Sequence, residues 1–292
     1  MGGRFCGNVG QKNMSVIELS QNLEMGEYGI WTNSNEASIS YPKDSHLQCF
    51  QLEDGSFWFK HRNDCILSAI KRFAPSGPIL DIGGGNGYVT RRILDEGFEG
   101  ALLEPGRTGA LNAKIQRHIP EVICSTFENS RFFPDSLRAV GLFDVLEHIE
   151  DDRGFLEHIH MTLQANGLLY ATVPAHQWLW SPSDVTAQHF RRYDQSMIRH
   201  LLGGKFDLLF FTYFFSALTL PVLLFRVLPF RLGLWKKRNV LSSESEHGTG
   251  GGPAVGILST LLAKEVVKIG CGKQIPMGTS CLFVARKIAA QQ

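Results

Sequence analysis

Residues 78–97, PILDIGGGNGYVTRRILDEG, decide the fold of this chain. PILDI is a short apolar run of the kind that forms a buried strand, and GGGNG is a tight turn. YVTRRILD then places apolar residues at helical spacing before a glycine stop. Apolar strands and amphipathic helices alternate from there to residue 173. This alternation predicts an open α/β sheet of mostly parallel strands.

The glycine turn, residues 83–87, indicates a ligand that approaches the backbone closely, since glycine has no side chain to keep it away. A P-loop needs a lysine after its last glycine, and none is present. A dinucleotide fingerprint needs Gly or Ala at the last position of G-x-G-x-x-G, which is Tyr88 here. The alternative to a ligand-binding turn is one that serves only the tight packing of the strand against the helix.

A second acid follows on the next predicted strand. Glu104 ends that strand, where its carboxylate can accept hydrogen bonds from a ribose diol. Glu104 alone indicates only a nucleoside. Taken with Asp81, Gly83 and Gly85, it predicts an adenosyl ligand without a pyrophosphate.

With these residues the chain resembles the class I S-adenosylmethionine-dependent methyltransferases. The resemblance covers roughly residues 60–287 and is strongest to a bacterial group with small-molecule acceptors. It is carried by the glycine turn and by these stretches: SFWFKHRN (56–63), LLEPG (102–106), GLFDVLEHIEDD (141–152) and VPAHQWLWSPSDVTAQHFRRY (173–193).

The resemblance implies S-adenosyl-L-methionine as cofactor and assigns roles to individual residues. Asp81 and the turn glycines would line its methionine part, Glu104 would hold the ribose, and Asp144 would face the cofactor or substrate. Thr126 and Phe127 would edge the adenine, although the acid that many relatives carry at this strand end is absent from CSTFEN. The implied cofactor set is Asp81, Gly83, Gly85, Gly87, Glu104, Thr126, Phe127 and Asp144.

The implied fold is a Rossmann-like, three-layer α/β/α sandwich with a seven-stranded, mostly parallel sheet whose last strand is antiparallel. GTSCLFVARK (278–287) fits that last strand. We predict an N-terminal extension over residues 1–60, with the first 13 disordered, and a methyltransferase domain over residues 61–292. The aromatic cluster 57–59 is predicted to pack on the sheet edge rather than to cover the ligand.

Methyl transfer to oxygen or nitrogen can require a base, and His148, just after the fourth strand, is the candidate catalytic residue. Because ligands of open α/β sheets lie beyond the carboxyl ends of the strands, we predict that His189, Arg192 and Tyr193 bind the substrate. An internal salt-bridged loop is the alternative for these three. No metal site is predicted, since the cysteines form no C-x-x-C pair and His158 and His160 face different ways.

Residues 208–225 form an uncharged run of 18 residues that Pro221 interrupts, which argues against a membrane span. We predict a strand followed by an apolar helix, within an insert over residues 216–275. Basic residues follow the helix: Arg226, Arg231, Lys236, Lys237 and Arg238. An apolar helix beside cations suits an anionic membrane surface, so residues 216–240 are predicted to give peripheral membrane contact; a dimer face or a cover over the acceptor pocket is the alternative.

The net charge of +1, from 29 basic and 28 acidic residues, gives no drive toward nucleic acid. Scattered cysteines and the absence of a signal-peptide pattern predict a cytoplasmic protein, with peripheral contact at the inner membrane face. The expected activity is methyl transfer to a small-molecule, amphipathic or lipid- or glycan-linked acceptor. The rival functions are a nicotinamide-dependent oxidoreductase and a catalytically silent methyltransferase-like binding module.

Overall fold

A mixed sheet of nine strands runs through the part of the chain that the computed structural model describes, residues 15–33, 50, 53–233 and 253–289. The strands are β1 (Glu24–Met25), β2 (Trp31–Thr32), β3 (Ile79–Ile82), β4 (Gly100–Leu103), β5 (Val122–Cys124), β6 (Leu137–Phe143), β7 (Leu163–Pro174), β8 (Phe206–Phe214) and β9 (Ser280–Lys287). The α-helices are α1 (Phe57–Arg72), α2 (Tyr88–Asp95), α3 (Arg107–Leu111), α4 (Asp152–Thr162), α5 (Pro182–Thr186), α6 (Gln195–Leu202), α7 (Thr219–Val222), α8 (Leu228–Arg231) and α9 (Pro253–Gly270).

The strand order is β1-β2-β5-β4-β3-β6-β7-β9-β8. From β2 to β7 all neighbours are parallel, whereas β9 runs antiparallel to both β7 and β8. The predicted mostly parallel sheet with an antiparallel last strand is therefore confirmed. Nine strands replace the seven expected, because the two-residue strands β1 and β2 extend the edge at β5. Strands of two residues carry no periodic pattern, so the sequence did not indicate them.

Alternation along the strands divides the core between the two faces of the sheet. Leu80 and Ile82 of β3 belong to one apolar cluster, which also contains buried residues of α4 and α6. Ile79 belongs to a second cluster, with buried residues of α1 and α9. The predicted three-layer α/β/α arrangement is confirmed by these two clusters.

Helix α1 begins inside the predicted N-terminal extension. Ser56 caps it by accepting a hydrogen bond from the Trp58 amide, with an N–O distance of 3.1 Å. The aromatic cluster 57–59 is thus the first turn of a helix that continues to Arg72. The expected disorder of the first 13 residues lies outside the described residues.

The end of α4 and the path of the insert complete the fold. Helix α4 ends at Thr162, because Leu163 is fully buried and already pairs with Leu137 of β6. The apolar insert folds as a helical segment over residues 216–231, in which Leu223–Val227 joins α7 to α8 with a wider turn. Of the five basic residues that follow the apolar run, Arg226 and Arg231 are described, and Lys236, Lys237 and Arg238 lie outside the described residues. Within the described residues, no helix combines the length and the hydropathy that a membrane crossing requires.

Candidate active site

The glycine turn links β3 to α2 and uses its glycines for different reasons. Gly83, Gly85 and Gly87 have φ angles of +69°, +58° and +77°, in the left-handed region that other residues adopt at a cost. A Cβ at Gly84 would lie 2.4 Å from Leu102 Cδ1, so this glycine permits close packing. A Cβ at Gly85 would meet no atom within 4 Å. The turn is therefore packed behind Gly84 and open beside Gly85.

Glu104 follows β4 and reaches across to the glycine turn. Its Oε2 accepts a hydrogen bond from the Gly85 amide at 2.8 Å, and its Oε1 accepts one from the Gly106 amide at 2.6 Å. Burial raises the pKa of this carboxyl to about 7, although the two amide donors act in the opposite direction. A carboxylate oxygen can accept more than one hydrogen bond, which suits a hydroxyl donor from a ligand.

Asp81 lies on β3 directly beneath the turn. Its side chain is fully buried, and Oδ2 accepts a hydrogen bond from the Thr90 hydroxyl at 2.6 Å. Oδ1 has no hydrogen-bond partner within the described structure. Burial raises the pKa of Asp81 to about 6. An acceptor atom that is buried and unsatisfied next to a glycine turn is a place where a ligand donor would be stabilised.

The residues after β5 lie at the same edge of the sheet. Thr126 is half-buried, and its hydroxyl accepts a hydrogen bond from the Asn129 amide at 3.2 Å. The Phe127 ring is buried in the core, where it stacks on Phe132 and meets Phe155 edge-on. Phe127 therefore offers its backbone, and not its ring, to anything bound at this strand end.

Asp144 follows β6 with a φ of +60°, a left-handed conformation that Asp tolerates better than most residues. Its Oδ2 pairs with Arg62 Nε at 2.5 Å, and its Oδ1 accepts a hydrogen bond from the Thr172 hydroxyl at 3.0 Å. Arg62, on α1, also donates to the Phe143 carbonyl at 2.7 Å. The sequence gave no signal for this pair, which spans about 80 residues of chain.

The next turn, Leu146–His148, meets the loop that follows α5. The rings of His148 and His189 contact edge-to-face, with centroids 4.8 Å apart. Burial lowers the pKa of His148 to about 4, and the neighbouring His189 adds to the effect. The Glu147 side chain is 1% exposed, and burial raises its pKa well above the ordinary range. The structure thus brings the predicted catalytic and substrate-binding histidines together, and adds a glutamate that the sequence did not single out.

The other two predicted substrate-binding residues lie inside the protein. Arg192 donates through Nε to Asp184 at 2.8 Å and through Nη1 to the Ala175 carbonyl at 3.1 Å. Tyr193 is 1% exposed, and its hydroxyl donates to Asp152 Oδ2 at 2.8 Å. Hydrogen bonds from His189 and Arg192 outweigh the effect of burial and lower the pKa of Asp184. These bonds make Arg192 and Tyr193 parts of the loop's internal frame.

An aromatic stack joins α1 to the chain at the start of the insert. Trp58 stacks on Phe215 with a centroid distance of 5.4 Å, and His61 meets Phe215 edge-on. Glu265, a buried residue of α9, binds His61 Nε2 at 2.9 Å and accepts hydrogen bonds from the amides of Phe215 and Ser216, both at 2.8 Å. Glu265 therefore fixes the start of the insert against α1, a role that its helical position alone did not indicate.

Comparisons with known proteins identify both a family and a fold. The model of a family described as a methyltransferase domain matches residues 58–208. No curated protein matches the chain in sequence. A structure of the Haloferax volcanii Trm112 methyltransferase activator in complex with a candidate methyltransferase is similar, with a TM-score of 0.54 and 12% identity over 86% of this chain and 96% of that one.

Two further structures have a TM-score of 0.50 and 16% identity. The [4+2]-cyclase SpnF matches over 78% of this chain and 82% of its own. Phosphoethanolamine N-methyltransferase 2 of Haemonchus contortus, in complex with S-adenosyl-L-methionine, matches over 88% of this chain and 62% of its own. At these identities the likeness concerns the fold.

Proposed function

We propose that this chain, which belongs to the methyltransferase-domain family, transfers the methyl group of S-adenosylmethionine to a small-molecule or amphipathic acceptor. Its class I fold supports this activity. One observation carries the proposal. The Glu104 carboxylate is held by the Gly85 and Gly106 amides at the carboxyl end of β4, beside a turn that is open next to Gly85.

The residues around the turn fit the cofactor. Gly85 leaves room where a Cβ would stand, and the buried Asp81 Oδ1 lacks a donor within the described residues. The Glu104 carboxylate is an acceptor of the kind that a ribose diol requires. The residues that would hold S-adenosylmethionine are Asp81, Gly83, Gly85, Gly87, Glu104, Thr126 with the backbone of Phe127, and Asp144.

S-adenosylmethionine supplies a methyl group that is already activated by its sulfonium charge, so the protein has mainly to position the acceptor and exclude water. Asp144, held by Arg62 and Thr172, follows β6, the strand next to the one that carries the glycine turn. We place the acceptor beside His148 and His189. From sequence, His148 is the candidate base for an oxygen or nitrogen acceptor.

An exposed apolar stripe supports an amphipathic acceptor. Leu220, Leu224, Leu228 and Leu232 recur at a spacing of four and are each at least 39% exposed. Phe225 beside them is 75% exposed. Arg231, at the end of α8, donates to the Trp178 carbonyl at 3.0 Å and so joins the stripe to the loop that follows β7. Apolar side chains next to arginines suit a membrane surface with anionic lipid.

Calorimetric titration with S-adenosylmethionine and S-adenosylhomocysteine tests the cofactor assignment. We expect the wild type to bind both, and Glu104→Ala to weaken binding by about 1–3 kcal/mol, or about 5- to 150-fold. Glu157→Ala, which removes an exposed carboxylate paired with Lys205, is the matched control and leaves affinity unchanged.

Two outcomes would favour the rival functions. An increase in NADH fluorescence on mixing, with no binding of S-adenosylmethionine, points to a nicotinamide-dependent oxidoreductase. Cofactor binding without release of S-adenosylhomocysteine across a panel of hydroxyl, amine and lipid-linked acceptors points to a silent binding module.

A further inference from the structure

Three potential metal ligands meet beyond the end of β6. One ligand atom from each of Glu147, His148 and His189 lies within 4.8 Å of the other two. The first two come from the turn after β6 and the third from the loop after α5, so residues more than 40 positions apart converge.

The Glu147 carboxylate lacks a cation of its own within the described residues. Its side chain is 1% exposed, and Oε2 has no hydrogen-bond partner in the described part of the chain. The two arginines that face it have other carboxylates: Arg62 pairs with Asp144 at 2.5 Å, and Arg192 pairs with Asp184 at 2.8 Å. A buried carboxylate oxygen without a donor is costly, and a bound cation removes that cost.

His189 is oriented in the way that metal-binding histidines usually are. Its Nδ1 binds the buried Asp184 Oδ1 at 3.0 Å. A carboxylate on one ring nitrogen fixes the imidazole plane and the tautomer, which assigns the other nitrogen, Nε2, to the metal.

The backbone holds the two loops in register. The Glu147 carbonyl accepts a hydrogen bond from the Phe190 amide at 2.8 Å, and the Tyr193 hydroxyl, which donates to Asp152, lies 3.1 Å from the Leu146 carbonyl. Phe190 directly follows His189 in sequence, and Leu146 directly precedes Glu147. The two loops that carry the three donors are therefore held close together before any ion arrives.

We propose that Glu147, His148 and His189 bind a divalent transition-metal ion, of which Zn²⁺ is the best match. Two imidazoles and one carboxylate suit Zn²⁺, Co²⁺ or Fe²⁺, whereas Mg²⁺ and Ca²⁺ prefer oxygen ligands alone. Ligands of a tetrahedral Zn²⁺ stand about 3.4 Å apart, so side-chain movements of about 1 Å close the site.

Three protein ligands leave a fourth position of a tetrahedral ion open. Because β3 and β6 are neighbours, this position lies at the same edge of the sheet as the glycine turn. It is suited to an oxygen of the methyl acceptor, a role that rests on the proposed function. The metal site itself does not rest on the proposed function. As a metal ligand, His148 would hold the ion instead of accepting a proton.

Titration of chelator-treated protein with Co²⁺, followed by its visible absorption, and calorimetry with Zn²⁺ test the site without any methyl donor. We expect one ion per chain, at least tenfold weaker binding by Glu147→Gln, and loss of that ion in the double variant His148→Ala/His189→Ala. The control His200→Ala removes a surface histidine that contacts Arg153 and leaves binding unchanged.

Thermal unfolding shows whether each variant is folded, and Zn²⁺ should raise the melting temperature of the wild type but not of the double variant. Equal metal uptake by the wild type and the double variant would overturn the site, as would no uptake by the wild type. Unchanged affinity in Glu147→Gln would remove the carboxylate from the ligand set and contradict the proposal. If the protein binds S-adenosylmethionine but no metal, the metal site is wrong and the proposed function is unaffected.

Discussion

The Gly85 amide donates a hydrogen bond to Glu104 Oε2 at 2.8 Å, which joins the glycine turn to the end of the neighbouring strand. The other oxygen of this carboxylate accepts a hydrogen bond from the Gly106 amide, so backbone amides hold both oxygens in place. The charge of Glu104 and the shape of the turn are therefore linked, and a change in either should affect whatever binds between them.

Affinity for S-adenosylhomocysteine should increase with pH around neutrality. Burial raises the pKa of Glu104 to about 7, so the carboxylate that would accept the ribose hydroxyls is only partly ionised below that pH. From pH 6.5 to 8 we expect about a fourfold gain in affinity by calorimetry. The stability of the ligand-free protein should change with pH in the opposite direction. The contribution of Glu104 to folding stability is fully present below about pH 4.5 and is lost as the pH rises through about 7.

Glu104→Gln is the control for this titration, since the amide does not ionise. It should bind more weakly than the wild type and show a flat profile over the same interval. A fourfold rise that persists in Glu104→Gln would assign the titration to another group.

Gly85→Ala should reduce cofactor affinity as well as stability. Its φ of +58° costs an alanine about 1–2 kcal/mol, and the new methyl group enters the open space beside the turn. Gly204→Ala is a matched control, because Gly204 has a φ of +75° and a Cβ there would also meet no atom within 4 Å. We expect similar losses of thermal stability, but at least tenfold weaker binding of S-adenosylmethionine only in Gly85→Ala. Equal affinities would place the ligand elsewhere.

Glu265→Gln should destabilise the protein by about 2–3 kcal/mol at neutral pH, since the amide replaces a charged acceptor of several hydrogen bonds. Hydrogen bonds from His61 and Ser216 outweigh burial and lower the pKa of Glu265 below its ordinary 4.5. The stabilisation is therefore present above about pH 4.5 and disappears as the pH falls through the lowered value. Chemical denaturation of the wild type and Glu265→Gln at pH 7 and at pH 3.5 measures the loss of stability and its dependence on pH. Glu157→Gln, at an exposed pair, should change stability by less than 1 kcal/mol.

Replacing Leu224 and Phe225 by serine should reduce binding to vesicles that contain anionic phospholipid. Both side chains are exposed, at 44% and 75%, so their loss should not disturb the core. We expect several-fold less protein to pellet with the vesicles, as apolar burial in the interface is lost. Ile115→Ser, at an exposed apolar residue after α3, is the control. Equal pelleting of the wild type and the double variant would contradict membrane contact through this segment.

Sequence patterns predicted the parts of the fold that depend on local spacing. Buried strands and amphipathic helices have periods that are visible in 79–94, and the glycines mark the turn between them. The mutual positions of Arg62 and Asp144, or of Glu147 and His189, depend on long-range packing that leaves no such pattern. The family resemblance implies that Phe127 edges the adenine, and the packing of its ring on Phe132 in the core is a further contact that no local pattern indicated.

The clasp that Glu265 forms with the chain at Phe215 and Ser216 joins positions 50 residues apart and so closes the insert into a separate loop at its base. All nine strands of the described structure, and the glycine turn, lie outside this loop in sequence. Because this loop is fixed at both of its ends, we expect insertions and deletions near its middle to affect the sheet less than changes within a strand would.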